Sequence, residues 1–301
     1  MPDESAPLAP GLYLVATPIG NLEDITMRAL RVLRMADRIA CEDTRQTQKL
    51  LNHFGINTPT VSYHVHNERG RADELVAQLR EGARIAVVSD AGMPGIADPG
   101  EEIARAAIAA GIAVYPIPGA NAALSALIAS GLSTERFSFR GFLPSKPGER
   151  RTALETLLKE MRSLTEPATQ IFYETPHRIL DALTDIEAVF GPAHPIALAR
   201  EITKLHEEFL RGTVADVRCI LATREVQRGE MVLMLSSTLA AEEAVVVSLA
   251  AAVKALLASG LDEKDALKQV AKERGIGKSD AYREWQRTKG KQARASHAPA
   301  H

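Results

Sequence analysis

The sequence predicts an α/β protein in which a parallel-sheet N-terminal domain, a second domain on a mixed sheet and a small helical C-terminal unit follow one another. Three observations predict it. Short apolar runs alternate with segments of helical period up to about residue 132, the stretch GLSTERFSF at 131–139 interrupts that alternation, and no strand pattern remains after residue 241.

In the first part, LYLVA at 12–16 leads into a helix over about Met27 to Met35, a βα unit. A strand over Arg38 to Cys41 and a helix from about Thr44 to Phe54, stopped by Gly55, form the next. TVSYHV, a helix over about Ala72 to Arg80, IAVVS, an alanine-rich helix ending at Gly111 and IAVYP complete five strands. Strands alternating with helices favour a mostly parallel sheet covered on both faces, which assigns residues 11–132 to a first domain. Residues 133–238 supply FSFRGFLP, a polar helix around 147–163, QIFYET, PIALAREIT, EEFLRG and EMVLMLSS. Fewer helices separate these strands, and Thr203 to His206 reads as a hairpin-like connection, so a mixed sheet is expected. Residues 241–294 read as three short helices with stops at Gly260 and Gly275.

Composition narrows the function. The 301 residues carry a formal net charge of −2, which argues against wholesale coating of nucleic acid and leaves only a local basic surface for such contact. Residues 268–294 provide one, with nine Lys or Arg against three Asp or Glu and with Tyr282 and Trp285 interleaved. The helix, glycine turn and helix around Gly275, Ile276 and Gly277 are similar to a helix-turn-helix, and a solvated basic tail is the plainer alternative. The two cysteines, Cys41 and Cys219, have no C-x-x-C spacing, so neither a disulfide framework nor a zinc site is expected and a reducing cytoplasm is the simplest setting. MPDESAPLAP lacks the basic start and apolar core of a signal peptide, and no apolar run reaches membrane-spanning length, so a soluble protein is expected.

The most informative segment is SDAGMPGIADPG at 89–100, between a strand and a helix. Three glycines and two prolines fix a backbone that a ligand can approach closely, and Asp90 stands at the strand's carboxyl end, where open α/β sheets bind ligands. A tight βα turn without a ligand is the bland alternative. No dinucleotide fingerprint follows the first strand: ATPIGNLED at 16–24 holds the single glycine Gly20, and no P-loop occurs. Glu42 and Asp43 imitate the acidic ribose ligand of such folds, or serve a helix dipole. PGANA at 118–122 precedes a helix whose N–H groups can meet a carboxylate, although Asn121 reads equally as its cap. Among eight histidines only His64 and His66 are closely spaced, and they alternate along a strand, so no metal is expected.

ATPIGNLED, CEDTR at 41–45, SDAGMPGIADPG, PGANA, FYETPHRI at 172–179 and AREITKLHEE at 199–208 together resemble the ribosomal RNA small subunit methyltransferase I family, in the tetrapyrrole methylase superfamily. The resemblance spans residues 12 to about 236. It implies a two-domain tetrapyrrole-methylase-like fold, a homodimer, S-adenosylmethionine bound between the domains, and 2'-O-methylation of a cytidine in the decoding region of 16S ribosomal RNA. It further implies that Pro18, Ile19 and Gly20 contribute to the cofactor cleft and that Asn21 and Asp24 face the substrate. Asp90, Gly92 and Met93 would line the methionine and ribose portion, with Gly119, Asn121 and Ala122 at the helix start. Tyr173 would cover the adenine, unless it is core, and Arg200 with Glu201 would close the cleft. TPIGN departs from the glycine-rich first loop usual in the superfamily, which weakens a tetrapyrrole substrate.

Methyl transfer to a ribose oxygen requires loss of the hydroxyl proton. General-base help is typically worth 10² to 10⁴ in rate, about 3 to 5 kcal/mol, whereas orienting two reactants supplies about 7 to 11 kcal/mol, so positioning should dominate. Glu174 and Glu201 are candidate proton acceptors, each after an apolar strand run. Candidate RNA contacts are Arg178 beside His177, Lys204 near His206, and Lys278, Arg283 and Arg287 in the basic stretch; Lys204 and His206 equally balance Glu207 and Glu208. With aromatic residues at 4%, RNA recognition should rest on shape and phosphate contacts. Two other readings stay open: a non-catalytic RNA-binding module of ribosome assembly, and a methylase of a small molecule such as a tetrapyrrole.

Overall fold

The computed structural model describes residues 7–64, 68–238, 249–258, 260–273, 277–283 and 285–286. The chain forms two compact units, residues 1–239 and 240–301.

The larger unit opens with β1 (Gly11–Val15), α1 (Met27–Met35), β2 (Arg38–Cys41), α2 (Thr44–His53), β3 (Thr60–Ser62), α3 (Glu68–Arg80), β4 (Arg84–Val88), α4 (Glu101–Ala109), β5 (Val114–Ile117) and α5 (Ala122–Ser130). The strands lie in the order β3-β2-β4-β1-β5, all parallel, as the alternation predicts. Side chains that alternate along each strand divide the core in two. Val15, Ile39 and Val88 meet Val32 and Leu33 of α1 and Leu51 of α2 on one face. Leu12, Ile85 and Val87 meet Leu75 of α3 and Ile103 of α4 on the other. Full burial of each such side chain contributes about 1.5 to 3 kcal/mol. Helix starts are fixed locally: the Thr26 hydroxyl accepts from Ala29 N–H at 3.0 Å and the Asp43 carboxylate from Arg45 N–H at 2.8 Å. α3 begins four residues before the apolar period reveals it, because its first turn is polar.

This arrangement positions the site. β1 and β4 are neighbours, yet β1 leads to α1 on one face and β4 to α4 on the other. Their loops therefore diverge, and a crevice opens at their carboxyl ends. Thr17 and Gly92 bridge the two loops by reciprocal backbone hydrogen bonds of 2.8 and 3.1 Å.

The second sheet contains β6 (Phe137–Phe142), β7 (Thr169–Glu174), β8 (Pro195–Arg200), β9 (Glu208–Thr213) and β10 (Met231–Leu235), ordered β6-β7-β10-β8-β9. β6 and β7 are parallel and the remaining pairs antiparallel, the mixed sheet that the sequence predicts. α6 (Pro147–Ser163), α7 (Ile179–Phe190) and α8 (Val214–Ala222) cover one face. α8 was not legible from the apolar runs; a capping box between Thr213 and Asp216 starts it. The opposite face packs on Ala123, Ala126 and Leu127 of α5, the helix that ends the first alternation.

In the smaller unit, α9 (Leu249–Ala258), α10 (Glu263–Glu273) and helical residues at 278–283 and 285–286 surround Leu249, Val253, Val270 and Trp285. Trp285 is 2% exposed, so it is core and not a stacking platform for bases, whereas Tyr282 is half exposed. The expected turn at Gly275 and Ile276 lies outside the described residues. No helix among the described residues is long and apolar enough to cross a membrane.

Candidate active site

A cavity of about 450 Å³ opens between the two sheets. One wall comes from the first-sheet loops: Ile19, Glu42, the segment Asp90 to Met93, Ile96 to Asp98, Asn121 and Ala122. The other comes from Phe142, Tyr173 to Pro176, Ile202 and Glu230 to Val232. Of the residues expected at the cofactor, Ile19, Asp90, Gly92, Met93, Asn121, Ala122 and Tyr173 line it together, and Glu174 joins them.

Each is held by neighbours. Asp90 Oδ1 accepts from the Asp43 N–H at 3.1 Å, which ties the SDAG loop to the CEDTR segment. Asn121 both lines the cavity and caps α5, accepting from Leu124 N–H at 2.9 Å. Tyr173 stands edge-on to Phe139 and Phe142, with centroids 4.8 and 5.8 Å away, and burial raises its phenol pKa. Glu174 is buried; its Oε1 accepts from Thr175 N–H at 2.8 Å, while its buried Oε2 has no hydrogen-bond partner among the described residues. Burial raises the Glu174 pKa against the opposing pull of Thr175 and Arg178.

Several expected residues stand elsewhere. Arg200 does not line the cavity: its Nε bonds Glu208 at 3.0 Å, because the β8–β9 register sets those residues opposite each other. Glu201 accepts from Lys204 Nζ at 2.9 Å and from Glu230 N–H at 3.0 Å. Burial would raise its pKa, but the Lys204 hydrogen bond and the Glu230 N–H bring it below the ordinary value, which makes it a weaker base than the sequence suggests. Arg178 turns inward, donating to the Leu143 carbonyl and lying 3.4 Å from Glu174, so it is not presented to a phosphate; His177 is exposed. Gly119 packs on Ala16, whose Cβ would lie 2.9 Å from an added Cβ. Pro18, Gly20 and Lys204 line an adjoining groove. Asn21 caps the short turn Leu22–Asp24, and Asp24 and His206 are exposed. In the smaller unit Lys278 is exposed, Arg283 pairs with Asp280 and Arg287 lies outside the described residues.

The sequence reading also missed residues. Asp98 lies in the loop singled out above, beyond Ala97, whose φ of 61° is left-handed. Burial, then the charges of Glu42 and Asp90, raise its pKa to about 6. Burial and Asp90 likewise raise Glu42. With Glu174 and Glu230, the lining holds five carboxylates and no Lys, Arg or His among the described residues. Nothing in the linear spacing of these acids announces that they converge. Such a cavity selects a cationic ligand, and no cluster among the described residues suits a metal ion.

This fold, with its cleft at the strand switch, is that of a methylase class: residues 11–218 match the tetrapyrrole (corrin/porphyrin) methylases. Uroporphyrin-III-C-methyltransferase from Thermus thermophilus superposes with a TM-score of 0.51 at 24% identity, over 75% of this chain and 94% of that one. A cobalt precorrin-4 methyltransferase gives 0.53 at 16% identity, over 76% and 96%, and these likenesses show the fold alone. Sequence relatives are nearer. Ribosomal RNA small subunit methyltransferase I of Halalkalibacterium halodurans is 52% identical, over 90% of this chain and 93% of its own. Its counterpart in Escherichia coli O157:H7 is 46% identical, over 90% and 93%. The chain belongs to the ribosomal RNA small subunit methyltransferase I family.

Proposed function

We propose that the protein transfers the methyl group of S-adenosylmethionine to the ribose 2'-oxygen of a cytidine in the decoding region of 16S ribosomal RNA. The observation that carries this reading is the acidic cavity at the β1–β4 switch point in a chain of this family. The donor is a sulfonium with an ammonium group, and its chemistry is to present an electrophilic methyl carbon. Glu42, Asp90 and Asp98 would offset that positive charge, Tyr173 would hold the adenine, and Glu174 Oε2 would accept an N–H of the bound donor. An isolated buried carboxylate oxygen would otherwise remain a cost of a few kcal/mol.

The residues of the chain then have two tasks. They hold the ribose oxygen in line with the methyl carbon, which supplies most of the rate. They also take up the hydroxyl proton. Asp98 suits this better than Glu201, because it lines the cavity with its carboxyl pKa raised to about 6, whereas Glu201 is absent from the lining and is held by Lys204 and the Glu230 N–H. The protein works as a cytoplasmic homodimer, and the basic C-terminal unit, with Lys278 and Arg283, adds affinity for the ribosomal substrate.

Incubation with methyl-labelled S-adenosylmethionine and small subunits lacking the modification should put label into 16S RNA as 2'-O-methylcytidine. RNA that stays unlabelled would overturn the reading, and label found only in a small molecule would favour a tetrapyrrole-type methylase.

A further inference from the structure

The cofactor cavity does not end at its acidic wall. Ile19, Asp90, Ala91 and Glu230 also line a groove of about 450 Å³ beside Thr17 and Gly20. That groove in turn shares Lys49 with a shallower depression of about 480 Å³ along α2. Shared lining residues therefore connect three neighbouring depressions from the cavity to α2.

Its chemistry reverses along the way. The middle groove has no carboxylates except Asp90 and Glu230, both shared with the cavity, and it gains Gln46, Lys49 and Lys204. The outer one is lined by Arg45, Gln48, Lys49 and Asn52 with no acid among the described residues. These four occupy positions i, i+3, i+4 and i+7, a single polar face of α2 about 10 Å long, opposite the buried Thr47 and Leu51. The face is preorganised: Gln48 donates to Asn52 at 2.8 Å, and Lys49 donates one of its ammonium protons to Gln46 at 3.0 Å. Arg45 leans on Asp43 and remains 88% exposed.

We propose that a single-stranded segment of the substrate RNA runs along this face of α2. The acceptor nucleotide sits in the groove between Gly20 and Lys49, and its ribose extends past the shared wall into the cavity that Asp98 lines. Lys49 and Arg45 hold an adjacent phosphate, and the amides of Gln46 and Gln48 meet base edges. Amides and cations without aromatic platforms suit an RNA positioned by its backbone. The inference rests on the methyl-transfer reading above but is tested separately from it.

Lys49→Ala and Lys49→Glu, with Lys159→Glu on the exposed surface of α6 as control, are compared with the unaltered protein. Calorimetry reads S-adenosylmethionine affinity, and anisotropy of a labelled decoding-region RNA reads substrate binding. Lys49→Ala should weaken RNA binding, by about tenfold at moderate salt, and reduce the slope of log affinity against log salt by about one, with a larger loss for Lys49→Glu. Cofactor affinity should not change. RNA binding and salt slope equal to those of the unaltered protein would overturn the proposal even if methyl transfer persists. Lys49-dependent binding without any transfer would support the track and fault the reaction instead.

Discussion

The two walls of the cavity are built differently. The first-sheet wall is loop, carrying left-handed φ values at Gly92, Gly95, Ala97 and Gly100 within nine residues. The second-sheet wall is mostly strand end: Tyr173 and Glu174 close β7, Met231 opens β10, and their register is set by antiparallel pairing of Met231 with Glu174. A loop wall brings backbone and short acids close to a ligand. A strand wall fixes larger side chains whose rotamers are already determined by packing. On the proposed reading, the donor's charge would be met from the loop side and its adenine from the strand side. Substituting one wall should alter charge-dependent steps, and substituting the other should alter fit.

The largest effect is expected from the loop wall. Asp98→Asn keeps size and removes the proposed proton acceptor, so turnover at saturating substrates should fall by about 10² to 10⁴, the usual worth of a general base. In the unaltered protein, log kcat/KM should rise with pH up to about 6 and then level, since on the proposed reading ionised Asp98 is the active form. The stability sign is opposite. Because the folded pKa is raised, the protonated group contributes stability that is complete below the ordinary carboxylate pKa and lost as pH rises through about 6. Asp98→Asn should thus stabilise the protein above pH 6, by about 1 kcal/mol given the partial exposure of the carboxyl group. A variant that melts higher and turns over as fast as the parent would remove Asp98 from the chemistry.

The contrast also explains what the sequence disclosed. Parallel and mixed sheets were legible because apolar runs such as RIAVV and MVLML report burial directly, and turn chemistry such as DAGMPG marks a strand end. Asp98 and Glu230 were not, because their convergence with Glu42 depends on strand order and on the hand of each crossover, which periodicity does not encode. Arg200 was misplaced for the same reason: motif proximity set it in the cleft, while its pairing with Glu208 required knowing the register of β8 and β9.

A second prediction concerns the shape of the loop wall. Gly100 has φ of 144°, and an added Cβ would lie 2.9 Å from the backbone nitrogen of Gly95, a group that donates to the Pro99 carbonyl at 3.2 Å. Backbone cannot yield as a flexible side chain does. Gly100→Ala should cost about 1 to 3 kcal/mol, largely by displacing the loop, and should weaken S-adenosylmethionine binding by calorimetry. An unchanged affinity would show that the loop wall does not shape the cofactor site.

The smallest effect is expected where the two walls are fastened. Lys204 reaches across from the second sheet and packs on the first loop, where an added Cβ at Gly20 would lie 2.4 Å from its Cγ. The same turn accepts the Asn21 N–H at Thr203 Oγ1, 3.2 Å away. Burial lowers the Lys204 pKa, but hydrogen bonds to Glu230 at 2.8 Å and Glu201 at 2.9 Å more than offset that and raise it. Its side chain is 27% exposed, so the pair lies between the surface and buried limits and is worth about 1 to 2 kcal/mol. Lys204→Met, which keeps the packing and removes the charge, should lower stability by that amount in denaturant melts and raise KM for both substrates only a few-fold, leaving kcat nearly intact. A collapse of kcat on this substitution would mean that Lys204 touches the reacting groups and does more than hold the two walls together.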